Sequence, residues 1–235
     1  MTSVDTRLSI IVPTLNEALT IGAQLASLVD FRRRGVEIVL VDGGSSDETE
    51  RIAHSYSDKV ILAPRGRASQ MNAGAAKANG EVLLFLHADT LLPKNADALI
   101  EKAFARSPQV WGRFDVCIVP KSPLLTVVAW MMNWRSRLSG IATGDQAMFV
   151  RRSAFESVGG FTDIPLMEDI ALSKALKRLS TPICLRDKVT TLARRWLRHG
   201  VVRTILLMWS LRLAYFFGAD TYRLAKRYGY APRTP

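Results

Sequence analysis

Short apolar runs alternate along this chain with longer stretches in which apolar residues recur every three or four positions. That alternation predicts strand–helix–strand units and hence an α/β fold. Leu8–Val12 reads as the first buried strand, and Ile21, Leu25, Leu28 and Val29 then recur at helical spacing. Val36–Val41 is the second strand, followed by a helix to about Ser57. Val60–Leu62 is a short third strand, and Ala73–Ala78 is a helix of small residues. The central strand is Val82–Leu86, a run of five apolar residues ending on His87-Ala88-Asp89-Thr90. Such unbroken runs suit parallel strands buried on both faces.

Further along, Pro93–Ser107 is an amphipathic helix, Arg113–Val119 a strand and Pro123–Leu138 a strongly apolar helix. The apolar arc of that last helix is wide enough for part of it to meet a membrane or a partner. Gly144-Asp145-Gln146 precedes a short strand, Ala147–Val150. Beyond the Gly159-Gly160-Phe161 turn, Met167-Glu168-Asp169 opens another helix. Val201–Gly218 is apolar but is not predicted to span a bilayer. Its nine Val, Ile, Leu and Phe residues contribute about −3 to −5 kcal/mol to insertion, whereas Arg203 and Arg212 each cost roughly +2.5 to +3.5 kcal/mol near the centre. A helix lying on the domain, with one side at a bilayer surface, is the expectation. These two arginines stand near opposite sides of the helix, so its amphipathicity is imperfect.

The polar residues at the strand ends carry the candidate chemistry, because open α/β sheets bind ligands at the carboxyl ends of their parallel strands. After the first strand come Pro13, Thr14, Asn16 and Glu17. Thr14 or Asn16 can cap the next helix, whose free N–H groups would suit a phosphate. After the second come Asp42 and Gly43, with Ser45 and Glu48 spaced as a capping box. Asp42 beside two glycines can accept from a base or a ribose hydroxyl. Arg65 and Arg67 precede the small-residue helix as a pyrophosphate would require. Asp89, after the central strand, can hold a hard divalent cation against two phosphates, or can cap the following helix. Glu168 and Asp169 suit a helix dipole as well as a general base. Arg194, Arg195 and Trp196 concentrate in Thr190–Arg198, where Trp beside Arg can clamp a polar ligand.

A length of 235 residues fits one large domain or one domain with a short appendage. The net charge of +11 asks for an anionic partner, whether nucleotide, nucleic acid or acidic membrane face. Basic residues gather late, from Arg194 to Arg233. The two cysteines, Cys117 and Cys184, form neither a disulfide framework nor a zinc spacing, which points to a reducing compartment. Met1–Asp5 is polar and Leu8–Val12 is too short for a signal core, so no secretory signal is expected.

Taken in order, SIIVPTLNE, VLVDGGSSDET, GRASQMNAG, LLFLHADT, GDQAMFVRR and LMEDIALSKAL resemble family 2 glycosyltransferases of GT-A fold. The resemblance runs from Leu8 to Arg198, and its GDQ, LMED and ARRW segments are similar to the arsenosugar-biosynthesis subgroup. It implies a Rossmann-like, mostly parallel central sheet flanked by helices, over a domain of residues 1–200. Residues 201–235 would be a basic, apolar helix and tail packed on the domain or at a membrane. It further implies an inverting transfer of sugar from a nucleotide-diphospho-sugar to an acceptor hydroxyl.

By position in the motifs, Pro13, Thr14, Asn16, Glu17, Asp42, Gly43, Arg67, Asn72, His87, Ala88, Asp145, Gln146, Arg195 and Trp196 would bind the donor. Asp89 would hold Mn or Mg, and Asp169, or else Glu168, would be the base. His87 departs from the family's D-x-D pattern, and imidazole is a poorer ligand for Mg than a carboxylate. The partners expected are the donor, an acceptor of open identity and an anionic membrane surface, not nucleic acid. The expected location is the cytoplasm, with attachment to the cytoplasmic membrane face left open; oligomeric state is also open.

Two other classes compete. A nucleotidyltransferase would carry a Gly-rich, Lys- or Arg-bearing loop straight after the first strand, and PTLNE is not one. A non-catalytic nucleotide-sugar binding protein at a membrane would not need Asp42, Asp89 and Glu168-Asp169 together.

Overall fold

The computed structural model describes residues 8–231. The basic residue Arg233 and the polar start Met1–Asp5 lie outside the described residues. The first half runs β1 (Leu8–Thr14), α1 (Ala18–Ala26), α2 (Val29–Arg33), β2 (Glu37–Asp42), α3 (Thr49–His54), β3 (Lys59–Leu62), α4 (Arg67–Lys77) and β4 (Val82–Phe85). Then follow β5 (Thr90–Leu91), α5 (Ala96–Ala105), β6 (Trp111–Val119), α6 (Pro123–Ser139) and a single 3-10 turn at Gly144–Gln146. The chain closes with β7 (Phe149–Arg151), α7 (Arg152–Ser157), α8 (Glu168–Leu176), β8 (Ile183–Leu192), α9 (Arg194–His199), α10 (Val201–Phe216) and α11 (Thr221–Tyr228).

All eight strands join one sheet in the order β3-β2-β1-β4-β7-β6-β8-β5. The four strands from β3 to β4 are parallel, as the apolar runs predict. Beyond β4 the sheet is mixed: β7 is antiparallel to both β4 and β6, β6 and β8 are parallel, and β5 is antiparallel to β8. The expected Rossmann-like, mostly parallel sheet is therefore corrected to a parallel half joined to a mixed half. The sheet also curls. β5 lies four strands from β4, about 19 Å in a flat sheet. Phe85 and Thr90 are only five positions apart in the chain, a reach of roughly 17 Å when fully extended.

Successive residues of the parallel strands feed opposite cores. Ile10, Val12, Ile38, Leu40 and Leu84 pack with Ile21 and Leu25 of α1, Ile100 and Phe104 of α5 and Leu125 and Val128 of α6. Ile11, Val39, Val41, Leu83 and Phe85 pack with Met71 and Ala75 of α4, Phe155 of α7 and Leu172 and Leu176 of α8. Burial on both faces is why these strands read as unbroken apolar runs. α4 begins at Arg67, six residues before the predicted start. It lies so close to the sheet that a Cβ on Gly74 would sit 2.5 Å from Ile11 and 2.8 Å from Val41.

α6 has the ends its sequence announces: Ser122 Oγ accepts from Leu125 N, Pro123 opens the helix and Gly140 closes it at φ 66°. Behind it the fully buried Arg113 is paired with Asp115, donates to Ser136 Oγ and Asn133 O, and so answers its own charge. A third core joins the start of α8 (Leu166, Met167, Ile170) to Leu211 of α10 and to Leu224 and Ala225 of α11. Among the described residues no helix is long and apolar enough to cross a membrane.

Candidate active site

A cleft of about 480 Å³ opens at the carboxyl ends of β1 and β4. Pro13, Thr14, Glu17, Arg67, His87, Ala88, Asp89, Asp145, Arg195 and Trp196, all expected at a donor or metal site, line it together. Glu168 and Asp169 lie in a small adjoining space behind His87 and Gly144.

Five expected donor residues are not in the cleft lining, because their polar atoms are taken up elsewhere. Asn16 sits at φ 53°, and its side chain accepts from Ser46 N at 2.8 Å. Asp42 is buried; its Oδ2 accepts from Gly44 N and Ser45 N, and its Oδ1 from Ser45 Oγ. Gly43 N donates to Thr14 O, which ties β2 to β1. Asn72 donates to Phe161 O and accepts from Phe161 N, so its amide clasps the Gly159-Gly160-Phe161 turn. Gln146 is fully buried and closes a capping box with Thr143.

The helix ends also differ from expectation. Neither Thr14 nor Asn16 caps α1. The N–H groups expected to meet a phosphate are consumed by the loop after β2: Asn16 N donates to Ser45 Oγ, Glu17 N to Thr49 Oγ1 and Ala18 N to Asp47 Oδ2. The Ser45–Glu48 capping box does not form either, because Ser45 turns to Asp42 and α3 begins at Thr49 without a side-chain cap.

Arg194 is the principal cleft residue that sequence reasoning passed over in favour of its neighbours Arg195 and Trp196. Its guanidinium donates to Glu17 Oε2 at 2.9 Å and Oε1 at 3.2 Å, and to Asp89 Oδ2 at 3.0 Å. It thereby joins the turn after β1 to the turn after β4. Gln70 was also passed over. Buried beneath the cleft, it donates to Thr14 O at 2.7 Å and Val41 O at 2.9 Å. Tyr228 and Tyr230 come from the far end of the chain to complete the lining. Arg195 lies over the Tyr228 ring, 3.5 Å from its centroid.

His87 occupies the corner between the two spaces. Its Nδ1 lies 3.4 Å from Asp145 Oδ1, and its other edge packs on Gly144, where a Cβ would come within 2.2 Å of Nε2. Burial raises the Asp145 carboxyl, but His87, then Arg67 and Arg212, outweigh it and hold Asp145 below its ordinary range. Arg67 shows the converse: desolvation works against its charge, yet Glu168, Tyr228, Asp145 and Asp169 raise its pKa. Asp169 Oδ2 accepts from Gly144 N at 3.0 Å, which fixes the carboxylate against the GDQ turn. The residue before this pair, Met167, is held at φ 71°. Asn16 and Ala147, at φ 53° and 46°, complete the set of non-glycine residues with positive φ among those described. All three border site motifs, where backbone strain commonly collects.

Burial, with Asp169 next to it, pushes the Glu168 carboxyl up to about 7, against the pull of Arg67. The sign of the stability effect follows. A carboxyl raised on folding contributes stability below its ordinary value near 4.5 and loses it as pH rises through about 7. Glu168→Gln is therefore expected to gain thermal stability relative to wild type between pH 5 and pH 8. Melting curves that stay parallel across that range would show that Glu168 ionises freely in the fold.

Among the described residues no three His, Cys, Asp or Glu side chains form a metal cage. Asp89 offers its carboxylate in the cleft beside the basic groups, in company with Glu17 and Asp145. This donor set fits a hard cation that draws its remaining oxygens from a bound diphosphate and water.

Comparison with known proteins gives three kinds of likeness. Residues 9–159 match the family model described as glycosyl transferase family 2. The probable glycosyltransferase YdaM of Bacillus subtilis is 31% identical over 195 residues, which is 71% of this chain and 46% of that protein. The chain spans less than half the length of the curated relatives it matches, for example 46% and 44%. Among solved structures, S. aureus TarS 1-349 in complex with UDP-GlcNAc aligns with a TM-score of 0.64 at 20% identity, over 79% of this chain and 58% of that one. Mannosyltransferase PcManGT from Pyrobaculum calidifontis, in complex with GDP-Man and Mn2+, aligns with a TM-score of 0.60 at 22% identity, over 79% and 56%. These structural likenesses establish the fold.

Proposed function

The chain belongs to glycosyl transferase family 2, and from that premise we propose that it moves a sugar from a nucleotide-diphospho-sugar to an acceptor hydroxyl with inversion. The observation that carries the reading is the single cleft in which Glu17, Arg67, Asp89, Arg194 and Arg195 meet, with Asp169 directly behind it. Pro13 and Thr14 form the nucleoside side of that cleft. Arg67, Arg194 and Arg195 supply the positive charge that a diphosphate needs. The TarS complex with UDP-GlcNAc and the PcManGT complex with GDP-Man and Mn2+ support a donor of this class.

Asp89 would hold Mn or Mg, which when bound helps to neutralise the leaving diphosphate. Asp169 takes the proton of the acceptor hydroxyl. The acceptor oxygen then bonds to the anomeric carbon from the face opposite the diphosphate, and the nucleoside diphosphate departs with the electron pair of the broken C–O bond. His87 does not contribute to the cation in this reading, because its imidazole is turned to Asp145.

We read residues 1–200 as the catalytic domain. Residues 201–235 hold the enzyme at an anionic membrane face while their helices close the cleft. The finer arsenosugar-biosynthesis reading rests on the GDQ, LMED and ARRW segments alone. The test is a thermal-shift screen of UDP- and GDP-sugars with Mn, followed by a donor-hydrolysis assay. At least one nucleotide sugar is expected to raise the melting temperature and to be slowly hydrolysed. A chain indifferent to every nucleotide sugar would end the proposal.

A further inference from the structure

Near Asp169 and Asp145, two guanidinium groups carry buried nitrogens that make no hydrogen bond. Arg135 of α6 has Nε and Nη2, and Arg212 of α10 has Nε, shielded from solvent with no hydrogen-bond partner. Their neighbours on β6 and α6 are differently placed, since Arg113 and Arg137 share Asp115. Buried donors left unmade are costly, and such groups call for an acceptor. Desolvation and the nearby Arg212 lower the Arg135 pKa to about 10, while Asp169 pulls it the other way. The two arginines therefore lie in one electrostatic neighbourhood with Asp169, and an oxyanion between them would relieve both their repulsion and their missing bonds. Tyr215, one turn beyond Arg212, is raised by its own burial and by Asp169 and Glu168.

The same two helices turn an apolar face outward. On α10, Val202, Leu206, Trp209, Leu213 and Phe216 form one exposed stripe, with Trp209 at 56% and Phe216 at 73% of full exposure. Their spacing of four, three, four and three puts them on a single side of the helix. Met208, Arg212 and Tyr215 lie on the flank between that stripe and the buried Thr204 and Leu211, and Met208 lines the cleft. On α6, Val127, Trp130, Trp134 and Leu138 are exposed in the same way. Met132 of α6 and Thr204 and Met208 of α10 line one cleft, and Arg135 and Arg212 stand one turn beyond Met132 and Met208 on the same helices.

Unpartnered guanidinium groups on two helices that also carry aromatic-rich apolar stripes suit an amphiphile with its charged head inward and its chain outward. We propose that Arg135 and Arg212 form an anion subsite for the acceptor, and that the acceptor is a membrane lipid bearing a phosphate, held with its hydroxyl toward Asp169. This rests on the glycosyl-transfer reading for the role of the acceptor; the subsite itself stands on the geometry of the arginines.

The probe is dodecyl phosphate, titrated calorimetrically into the full chain below its micelle concentration, with inorganic phosphate alongside. Dodecyl phosphate is expected to bind at least about tenfold more tightly than inorganic phosphate, and Arg135→Gln and Arg212→Gln are each expected to weaken it by about tenfold or more. Trp130→Gln with Trp209→Gln, both at exposed positions, is expected to weaken dodecyl phosphate and leave inorganic phosphate unchanged. It carries the test if an arginine variant fails to fold. Wild-type affinity in the arginine variants overturns the subsite. Equal affinity for the two probes overturns the lipid and leaves a soluble phosphate ester. Nucleotide-sugar binding measured on the same wild-type protein separates the two readings. Dodecyl phosphate bound without any nucleotide sugar sinks glycosyl transfer, and the reverse pattern sinks the subsite alone.

Discussion

Asp169→Asn is expected to transfer sugar roughly 10²–10⁴ times more slowly than wild type, with donor affinity and melting temperature nearly unchanged. The geometry separates this outcome from that of a helix-terminal carboxylate, whose loss costs about 0.3–1 kcal/mol and leaves turnover alone. Asp169 is tied to Gly144 N of the GDQ turn, and an asparagine carbonyl can keep that bond. What asparagine cannot do is receive the acceptor's proton. Glu168→Gln is the control. With its carboxyl pushed up to about 7, Glu168 is about half protonated at neutral pH, within the range of a general base, so the two variants are read against each other. If Asp169→Asn keeps near wild-type turnover while Glu168→Gln is dead, the base is one residue earlier. If both stay active, the pair serves α8 only and Asp145 becomes the next candidate.

Asp89→Asn is expected to abolish metal-dependent donor binding without harming the fold. Titration of UDP or GDP should then give the same affinity with and without Mn, whereas wild type binds more tightly with it. The fold should survive because Asp89 is partly exposed and its ion pair is to Arg194, which keeps Glu17 as a second partner. The Arg194 bridge also means that the cation competes with a guanidinium for Asp89. Arg194→Gln in the wild-type background is a useful companion that isolates this competition. Mn-dependent affinity that persists in Asp89→Asn would remove Asp89 from the metal site.

The parallel half of the sheet was legible because β1, β2 and β4 are buried on both faces, and unbroken apolar runs have few other uses. In the mixed half β6 and β7 were legible as strands, but β5, β8 and the pairing were not. β8 carries Arg186-Asp187-Lys188 in its middle, where its pairing with β6 shifts register at Phe114/Asp115, so its pattern imitates a loop. The motif ends were located well, but which side chain of each motif faces the cleft was not. Asn72 and Arg67 stand in one motif, yet Asn72 is spent on the Phe161 backbone. Gln70, in the same motif, reaches a carbonyl 56 residues earlier in the chain. Arg194 and Arg195 are adjacent and chemically identical, and only the approach of Glu17 and Asp89 distinguishes them. Side-chain roles that depend on what another loop presents are not written in local spacing.

The order of the strands has a further consequence for how copies of this chain tolerate one another. The two ends of the sheet are formed by β3 and β5, of four and two residues. Exposed strand edges are templates for runaway pairing between molecules, and proteins blunt them by shortening or charging them. Here β3 opens on Lys59, whose ammonium is engaged by Glu37 and by Lys77 O, and Pro64 follows two residues after its end. The long strands, β6 and β8, are both interior. The sheet thus ends in two short strands, and the stretch of β8 that β5 leaves uncovered carries the charged Arg186-Asp187-Lys188, which resists edge-to-edge pairing when this basic protein is concentrated on a surface.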